Sequence, residues 1–184
     1  LDKRKKDAAK AEKLIKILGP KGYKDFTFDQ FIVTPENEDA LAKCQDFDPS
    51  KNNLYLWGPV GTGKTHLAYA IARKWLEQGK SVRIYQSSIL LRYFRGTEAR
   101  EELRLLNELT EPDILLIDEI GIDRTTEHTN KTIYEITNSR IMALKNGLII
   151  TGNLSLKDFA EKAEDARIPD RLAGICDFVK LDGE

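Results

Sequence analysis

Short apolar runs alternate along the chain with stretches in which apolar residues recur every three or four positions. Residues 54–57 (Leu54, Tyr55, Leu56, Trp57), 82–85, 113–118, 148–151 and 178–181 read as five strands. Between them the spacing predicts helices. One covers 66–78, with Leu67, Ile71 and Trp75 four apart and Gly79 as a C-cap. Two more, 87–95 and 99–109, are broken near Gly96. A long helix over 126–144 has Ile133, Ile136, Ile141 and Leu144 on one face and stops at Gly147. Short helices at 156–162 and 169–174 follow. Strands alternating with helices predict an α/β fold with a mainly parallel sheet covered on both faces. Ligands of such sheets bind beyond the C-terminal strand ends.

Residues 1–45 read as a leader and 46–184 as the body. The leader opens with a helix carrying Ala8, Ala11, Ile15 and Leu18 on one face and ending at Gly19-Pro20. Phe26, Phe28 and Phe31 then alternate, a pattern suited to pinning the leader against the body. A turn-rich bridge at 48–53 leads into the first strand. The chain opens on Leu1, which sets the expectation of a preceding segment. Its 184 residues, 41% of them hydrophobic, suffice for one domain with a core and an appended segment. No run reaches the ~18 apolar residues of a membrane helix, and no signal-peptide core is visible. Cys44 and Cys176 have no metal-ligand spacing and read as two reduced thiols in a cytoplasmic protein. The net charge of −1 hides an asymmetry. Within residues 1–24, Lys3, Arg4, Lys5, Lys6, Lys10, Lys13, Lys16, Lys21 and Lys24 stand against only Asp2, Asp7 and Glu12, which leaves the body acidic. Such an arm suits nucleic acid or an acidic partner, and equally a solvated helix.

The candidate chemistry starts between the first strand and its helix. Gly58-Pro59-Val60-Gly61-Thr62-Gly63-Lys64-Thr65 matches G-x-x-x-x-G-K-[ST] in full. The glycines let backbone N–H groups wrap a phosphate chain, Lys64 can reach the β- and γ-phosphates, and the Thr65 hydroxyl can ligate Mg²⁺. The helix N-terminus adds its positive end. His66 adjoins the loop and joins the nucleotide-binding set by position, with packing favoured over catalysis. About 55 residues on, an apolar strand ends in Asp118-Glu119. Asp118 can hold Mg²⁺, and Glu119 can orient or deprotonate the water attacking a γ-phosphate. Asn153, just past the fourth strand, can hydrogen-bond the γ-phosphate or that water, or serve the turn. Arg167 and Arg171 are four apart and share a face if helical. Pro169 is expected to start that helix and leave Arg167 flanking it. Their guanidinium groups suit a phosphate, or a surface salt bridge to Glu164, Asp165 or Asp170.

Four segments together resemble the DnaC/DnaI replicative helicase loaders: residues 58–68, 117–121, 150–154, and Asp170-Arg171-Leu172. These loaders belong to the initiator branch of AAA+ ATPases, with DnaA and the transposition helper IstB as relatives. The resemblance covers about residues 26–184. It implies a P-loop AAA+ core with a five-stranded sheet and no full C-terminal lid domain, ATP/ADP and Mg²⁺ as ligands, and ATP hydrolysis. By position Asn153 resembles the sensor-1 residue, Arg171 the arginine finger that reaches ATP in an adjacent subunit, and Arg167 its accompanying basic residue. Residues 88–109 resemble the initiator-specific pair of helices that helps line a single-stranded DNA path and pack subunits into a spiral. Implied partners are the replicative helicase, single-stranded DNA and further copies of the chain, with no membrane. Gly152 departs from the family's frequent Ser or Thr. Neither a sensor-2 arginine nor the helix-turn-helix domain of DnaA is visible. The 88–109 pair is charge-balanced, and for Leu90, Leu91 and Phe94 core packing is favoured over base stacking. Competing readings are an IstB-like transposition helper, a P-loop small-molecule kinase, and a nucleotide switch with negligible turnover.

Overall fold

The computed structural model describes residues 16–19, 22, 25–120, 127–162 and 167–183. Most of the predicted leading helix lies outside these residues, although 16–19 are helical and Leu18 is buried. All five predicted strands form: β1 (Asn53–Trp57), β2 (Val82–Gln86), β3 (Ile114–Ile120), β4 (Leu148–Gly152) and β5 (Cys176–Lys180). They pair in parallel in the order β2-β3-β4-β1-β5. Parallel strands need crossovers, and the crossover helices cover both faces. That is why the central strands are nearly continuous in apolar residues: Leu115, Leu116, Ile117, Ile149 and Ile150 are all fully buried.

One face carries Leu54, Leu56, Leu116 and Ile149 against helix α1 (Glu38–Asp46) and helix α2 (Lys64–Glu77), with Cys44, Phe47, Leu67 and Ile71 in that core. The other carries Tyr55, Leu115, Ile117 and Ile150. Its helices are α3 (Ser87–Phe94), α4 (Ala99–Thr110), α5 (Glu127–Met142), α6 (Leu156–Lys162) and α7 (Arg167–Ile175). They contribute Leu90, Phe94, Leu109, Ile133, Ile136, Phe159, Ile168 and Leu172 to the second core. Cys44 and Cys176 belong to different cores and are free thiols; burial pushes each up to about 12. Among the described residues no helix is long and apolar enough to cross a membrane.

The alternating phenylalanines do pin the leader. The Phe26 ring lies 5.2 Å from His66 and 5.5 Å edge-on to Tyr69, Phe31 lies 5.3 Å from His66, and His66 Nε2 is 2.7 Å from the Thr27 carbonyl. His66 thus packs against the leader.

Helices α5 and α7 differ from their predictions in ways that move a side chain. Helix α7 begins at Arg167, so Pro169 is its third residue rather than its first. First-turn N–H groups have no acceptor within the helix, so a proline there loses nothing, and Arg167 falls inside the helix. Helix α5 ends at Met142, and Leu144 is not on its buried face: it is 91% exposed in a left-handed turn (φ 53°). Arg140 takes the buried place instead, at 1% exposure. Its Nη1 donates to the carbonyls of Leu109 (2.9 Å) and Pro112 (3.2 Å), and its Nη2 to that of Asn146 (2.5 Å). Burial pulls this guanidinium down to about 10, against the opposing field of Asp113. Arg140 therefore ties the end of α4, the start of β3 and the turn into β4 together. Arg140→Ala should cost about 3 kcal/mol of stability, because buried carbonyls lose their donor. Leu144→Ser should stay within about 0.5 kcal/mol of the parent. Urea unfolding midpoints of both variants check this.

Candidate functional site

The loop between β1 and α2 turns on Gly63, whose φ of 90° favours glycine and whose missing side chain matters as well. A Cβ there would meet the Phe31 ring at 2.6 Å, so the leader lies directly on the phosphate loop. The Leu67 N–H already bonds the Gly63 carbonyl at 3.0 Å, which starts α2 at Lys64, two residues earlier than predicted. The N–H groups of Lys64, Thr65 and His66 thus head a 14-residue helix at the loop, the arrangement that attracts anions. The Lys64 ammonium is buried against the loop and donates to the carbonyls of Gly58 (2.8 Å) and Pro59 (2.5 Å). Burial pulls its pKa below the ordinary lysine value, opposed by the carboxylates of Asp118 and Glu119. Pro59, Val60 and Gly61 form the exposed tip of the loop, and the Thr62 hydroxyl donates back to the Pro59 carbonyl at 3.0 Å.

Asp118 is 5% exposed. Its Oδ1 accepts the Thr65 hydroxyl at 3.0 Å and the Thr151 hydroxyl at 2.7 Å. The Thr151 oxygen in turn accepts the Glu119 N–H at 2.7 Å. A chain of hydrogen bonds therefore runs from the phosphate loop through Asp118 and Thr151 to the backbone of Glu119. The strand does not stop at Asp118, as predicted, but continues to Ile120 through a bulge. Ile117 pairs with Ile150 and Ile120 with Gly152, so Asp118 and Glu119 together oppose Thr151. Glu119 takes a left-handed φ of 60° and is exposed. Such a conformation costs about 1–3 kcal/mol in a residue with a side chain and persists where its surroundings hold it. Its N–H is held by Thr151, and its carbonyl accepts the Ser87 hydroxyl at 2.5 Å.

Asn153 follows β4, which lies between β3 and β1, and it is exposed at the tips of those strands. Gly152 before it has a local reason. A Cβ at this position would meet the Tyr55 hydroxyl at 2.5 Å, and that hydroxyl donates to the Leu154 carbonyl. Tyr55 fills the space that a Ser or Thr side chain would need.

Arg167 and Arg171 do not join Lys64, Asp118 and Glu119. They share one face of α7 and converge on Tyr134 of α5, with guanidinium carbons 5.5 and 5.3 Å from its ring centroid. Arg171 donates to Asn138 Oδ1 at 2.6 Å and to the Tyr134 hydroxyl at 3.3 Å, and Asp170 is exposed beside it. Glu164 and Asp165 lie outside the described residues.

A cleft of about 240 Å³ runs beside the loop, bordered by Phe31, Ile32, Asn37, Gly63, His66 and Asp182. Among the described residues no cluster of three or more His, Cys, Asp or Glu side chains is suited to a metal. Thr65 and Asp118 offer two hard oxygens side by side. This fits Mg²⁺, which keeps several waters and takes its remaining ligands from phosphate. Thr151 was legible at a strand end within the 150–154 segment, but without its bond to Asp118. Two further residues that shape this region escaped the sequence reading. Ser87 and Tyr134 carried no signal, because their partners are distant in sequence.

A family model described as IstB-like ATP binding protein matches residues 2–184. The replicative helicase loader DnaC of Escherichia coli (strain K12) is 31% identical over 160 residues, which is 82% of this chain and 64% of that protein. The chain thus spans just under two thirds of the length of that relative. The crystal structure of the DnaC helicase loader matches with a TM-score of 0.70 at 20% identity, covering 87% of this chain and 98% of that one. Replication initiator DnaA bound to AMPPCP and single-stranded DNA matches with a TM-score of 0.70 at 23% identity, covering 91% and 51%. The shared fold is the AAA+ core with its five-stranded parallel sheet.

If the hydroxyl of Thr151 organises both acids, Thr151→Val should leave Asp118 short of a donor in a buried site. Stability should fall by about 1–3 kcal/mol, more than for an isosteric change elsewhere on the sheet. Thermal unfolding with a Thr151→Ser control, which keeps the hydroxyl and should lose much less, checks the assignment.

Proposed function

The chain belongs to the IstB-like ATP binding family, and on that footing we propose that it binds ATP with Mg²⁺ and hydrolyses it to ADP and phosphate. The observation that carries this reading is the linked set Thr65–Asp118–Thr151–Glu119 beside Lys64, in which a metal-ligand pair and a strained, exposed carboxylate meet a phosphate-binding loop. In this reading the backbone N–H groups from Gly61 to Thr65 hold the phosphate oxygens. Lys64 leaves the carbonyls of Gly58 and Pro59 for the β- and γ-phosphates, exchanging neutral acceptors for charged ones. Thr65 and Asp118 hold the metal, which supplies charge neutralisation on the phosphate oxygens. Glu119 accepts a proton from the water as the water oxygen bonds to the γ-phosphorus and the bond to the ADP oxygen breaks. Asn153 hydrogen-bonds the γ-phosphate or that water. The cleft between Phe31, Asn37 and the loop takes the nucleoside, with an aromatic ring as its floor and His66 holding the leader in place.

The proposal extends to assembly and partners. Arg171, outside its own loop site, serves the ATP of a neighbouring copy, with Arg167 beside it. The pair α3–α4 meets single-stranded DNA, and the assembly loads a replicative helicase during DNA replication. Support for the DNA contact comes from the surface of α3. Leu90 and Phe94 face the core, while Tyr93 is 56% exposed and Ile89 40% exposed, next to exposed Arg92 and Arg95. An aromatic face flanked by guanidinium groups suits stacked bases and backbone phosphates. Support for the loader role is the likeness to DnaC across 82% of this chain. The IstB-like description of the family favours a second reading, in which the same ATPase delivers target DNA to a transposase.

Phosphate release and binding of a fluorescent ATP analogue test the core of the reading. Lys64→Ala should lose at least ~100-fold in nucleotide affinity, because the phosphates lose the buried ammonium beside the loop. Glu119→Gln should keep affinity within about threefold and lose at least ~100-fold in turnover. Chelation of Mg²⁺ should abolish turnover in the parent. Unchanged nucleotide binding by Lys64→Ala would overturn the assignment. Tyr93→Ala and Arg92→Ala should weaken binding of a labelled oligonucleotide and leave ATP affinity intact. Capture of a replicative helicase rather than a transposase by the purified protein separates the two biological readings.

A further inference from the structure

The contacts of Arg171 are chemically unusual for a half-buried guanidinium. Its recorded partners among the described residues are a ring face, a phenol oxygen and an amide oxygen, all neutral. Among the described residues no acid pairs with it. Asp170 is exposed, one position round the helix, and Glu135, one position from Tyr134, pairs with Lys131 at 3.6 Å. Arg167 brings a second guanidinium to the same ring. Tyr134 and Asn138 are four apart on α5, and Arg167 and Arg171 are four apart on α7. Each pair therefore presents one helix face to the other. The result is two cations held close together by a π face and an amide oxygen, with no anion contributed to Arg171 among the described residues.

We propose that Tyr134 and Asn138 are positioning residues that hold the Arg171 guanidinium at a fixed angle while leaving its charge uncompensated for a phosphate on a second copy of this chain. The inference rests on the trans role of Arg171 proposed above. Fixing the guanidinium removes rotamer entropy that would otherwise be lost as the neighbouring phosphate is met. Neutral acceptors matter as much as rigidity. A carboxylate in the place of Asn138 would hold Arg171 equally well but would satisfy its charge, and a phosphate would then have to displace a charge-assisted bond. An amide gives the same geometry without that competition.

Asn138→Asp is therefore the decisive variant, with Asn138→Ala beside it. Both are measured for ATP turnover across protein concentration, for affinity toward a fluorescent ATP analogue, and for thermal midpoint. Asn138→Asp should bind nucleotide within twofold of the parent and unfold at the same or a higher temperature. It should lose at least ~30-fold in turnover at the concentration where the parent saturates, part of the ~10³–10⁵ that a trans arginine supplies. Asn138→Ala should show a several-fold smaller loss at unchanged affinity. Mixing Asn138→Asp with Glu119→Gln should give turnover well above the sum of the two alone, because sites intact in one subunit regain an arginine from the other. Arg171→Ala mixed with Glu119→Gln is the reference. If that reference mixture regains activity while Asn138→Asp and Asn138→Ala turn over within twofold of the parent, the positioning role is wrong and the trans arginine stands. If Arg171→Ala alone matches the parent at every concentration, the trans reading fails and the positioning role falls with it.

Discussion

One buried carboxyl group organises the strand tips. Asp118 is almost closed to solvent, and a buried carboxylate is tolerable only where donors satisfy it. The two hydroxyl donors come from different parts of the chain. Thr65 lies in the first turn of the helix after β1, and Thr151 is the second-last residue of β4. Because the sheet runs β3-β4-β1, the carboxylate of β3 reaches the phosphate loop across the end of β4. The strand order is therefore a precondition of the site as well as of the core.

The same contact explains why the acids behave differently despite being adjacent in sequence. Asp118 is locked by side-chain bonds, whereas Glu119 is locked by its backbone, through Thr151 on one side and Ser87 on the other. A left-handed residue in a bulge leaves its side chain exposed and its main chain held. Lys64 shows a related tension. Its ammonium is buried against carbonyl oxygens, and burial depresses its pKa. Polar groups held at some expense to stability at one strand end are what an α/β sheet carries at a ligand crevice. The two arginines of α7 make their contacts elsewhere. Arg167 and Arg171 are organised by α5 around one tyrosine. In the proposed assembly the two centres meet only between copies, which would make hydrolysis report on neighbours.

How much was legible depended on the range of the interaction. Strand existence followed from local apolar runs, and all five strands appeared within two residues of their expected ends. The glycine-rich loop and the adjacent acids stood out as motifs because each packs its pattern into consecutive residues. The phenylalanine pin was readable as an alternation. Arg140 was not, because a lone arginine on a helix reads as surface until three carbonyls from two other segments converge on it. Leu144 failed for the converse reason: the helix ended before the periodicity did.

By itself the sequence settled the alternation of strands and helices, the glycine-rich loop motif after the first strand and the place of Asp118-Glu119 at the end of the third, since each is a statement about residues within a few positions of one another. Only the tertiary structure decided the strand order, the bulge that re-aims Glu119, the hydroxyl of Thr151 on Asp118, and the docking of Arg171 on Tyr134 and Asn138. Those contacts join residues about 30 or more positions apart. Their formation depends on which faces pack together, and local preference carries no record of that.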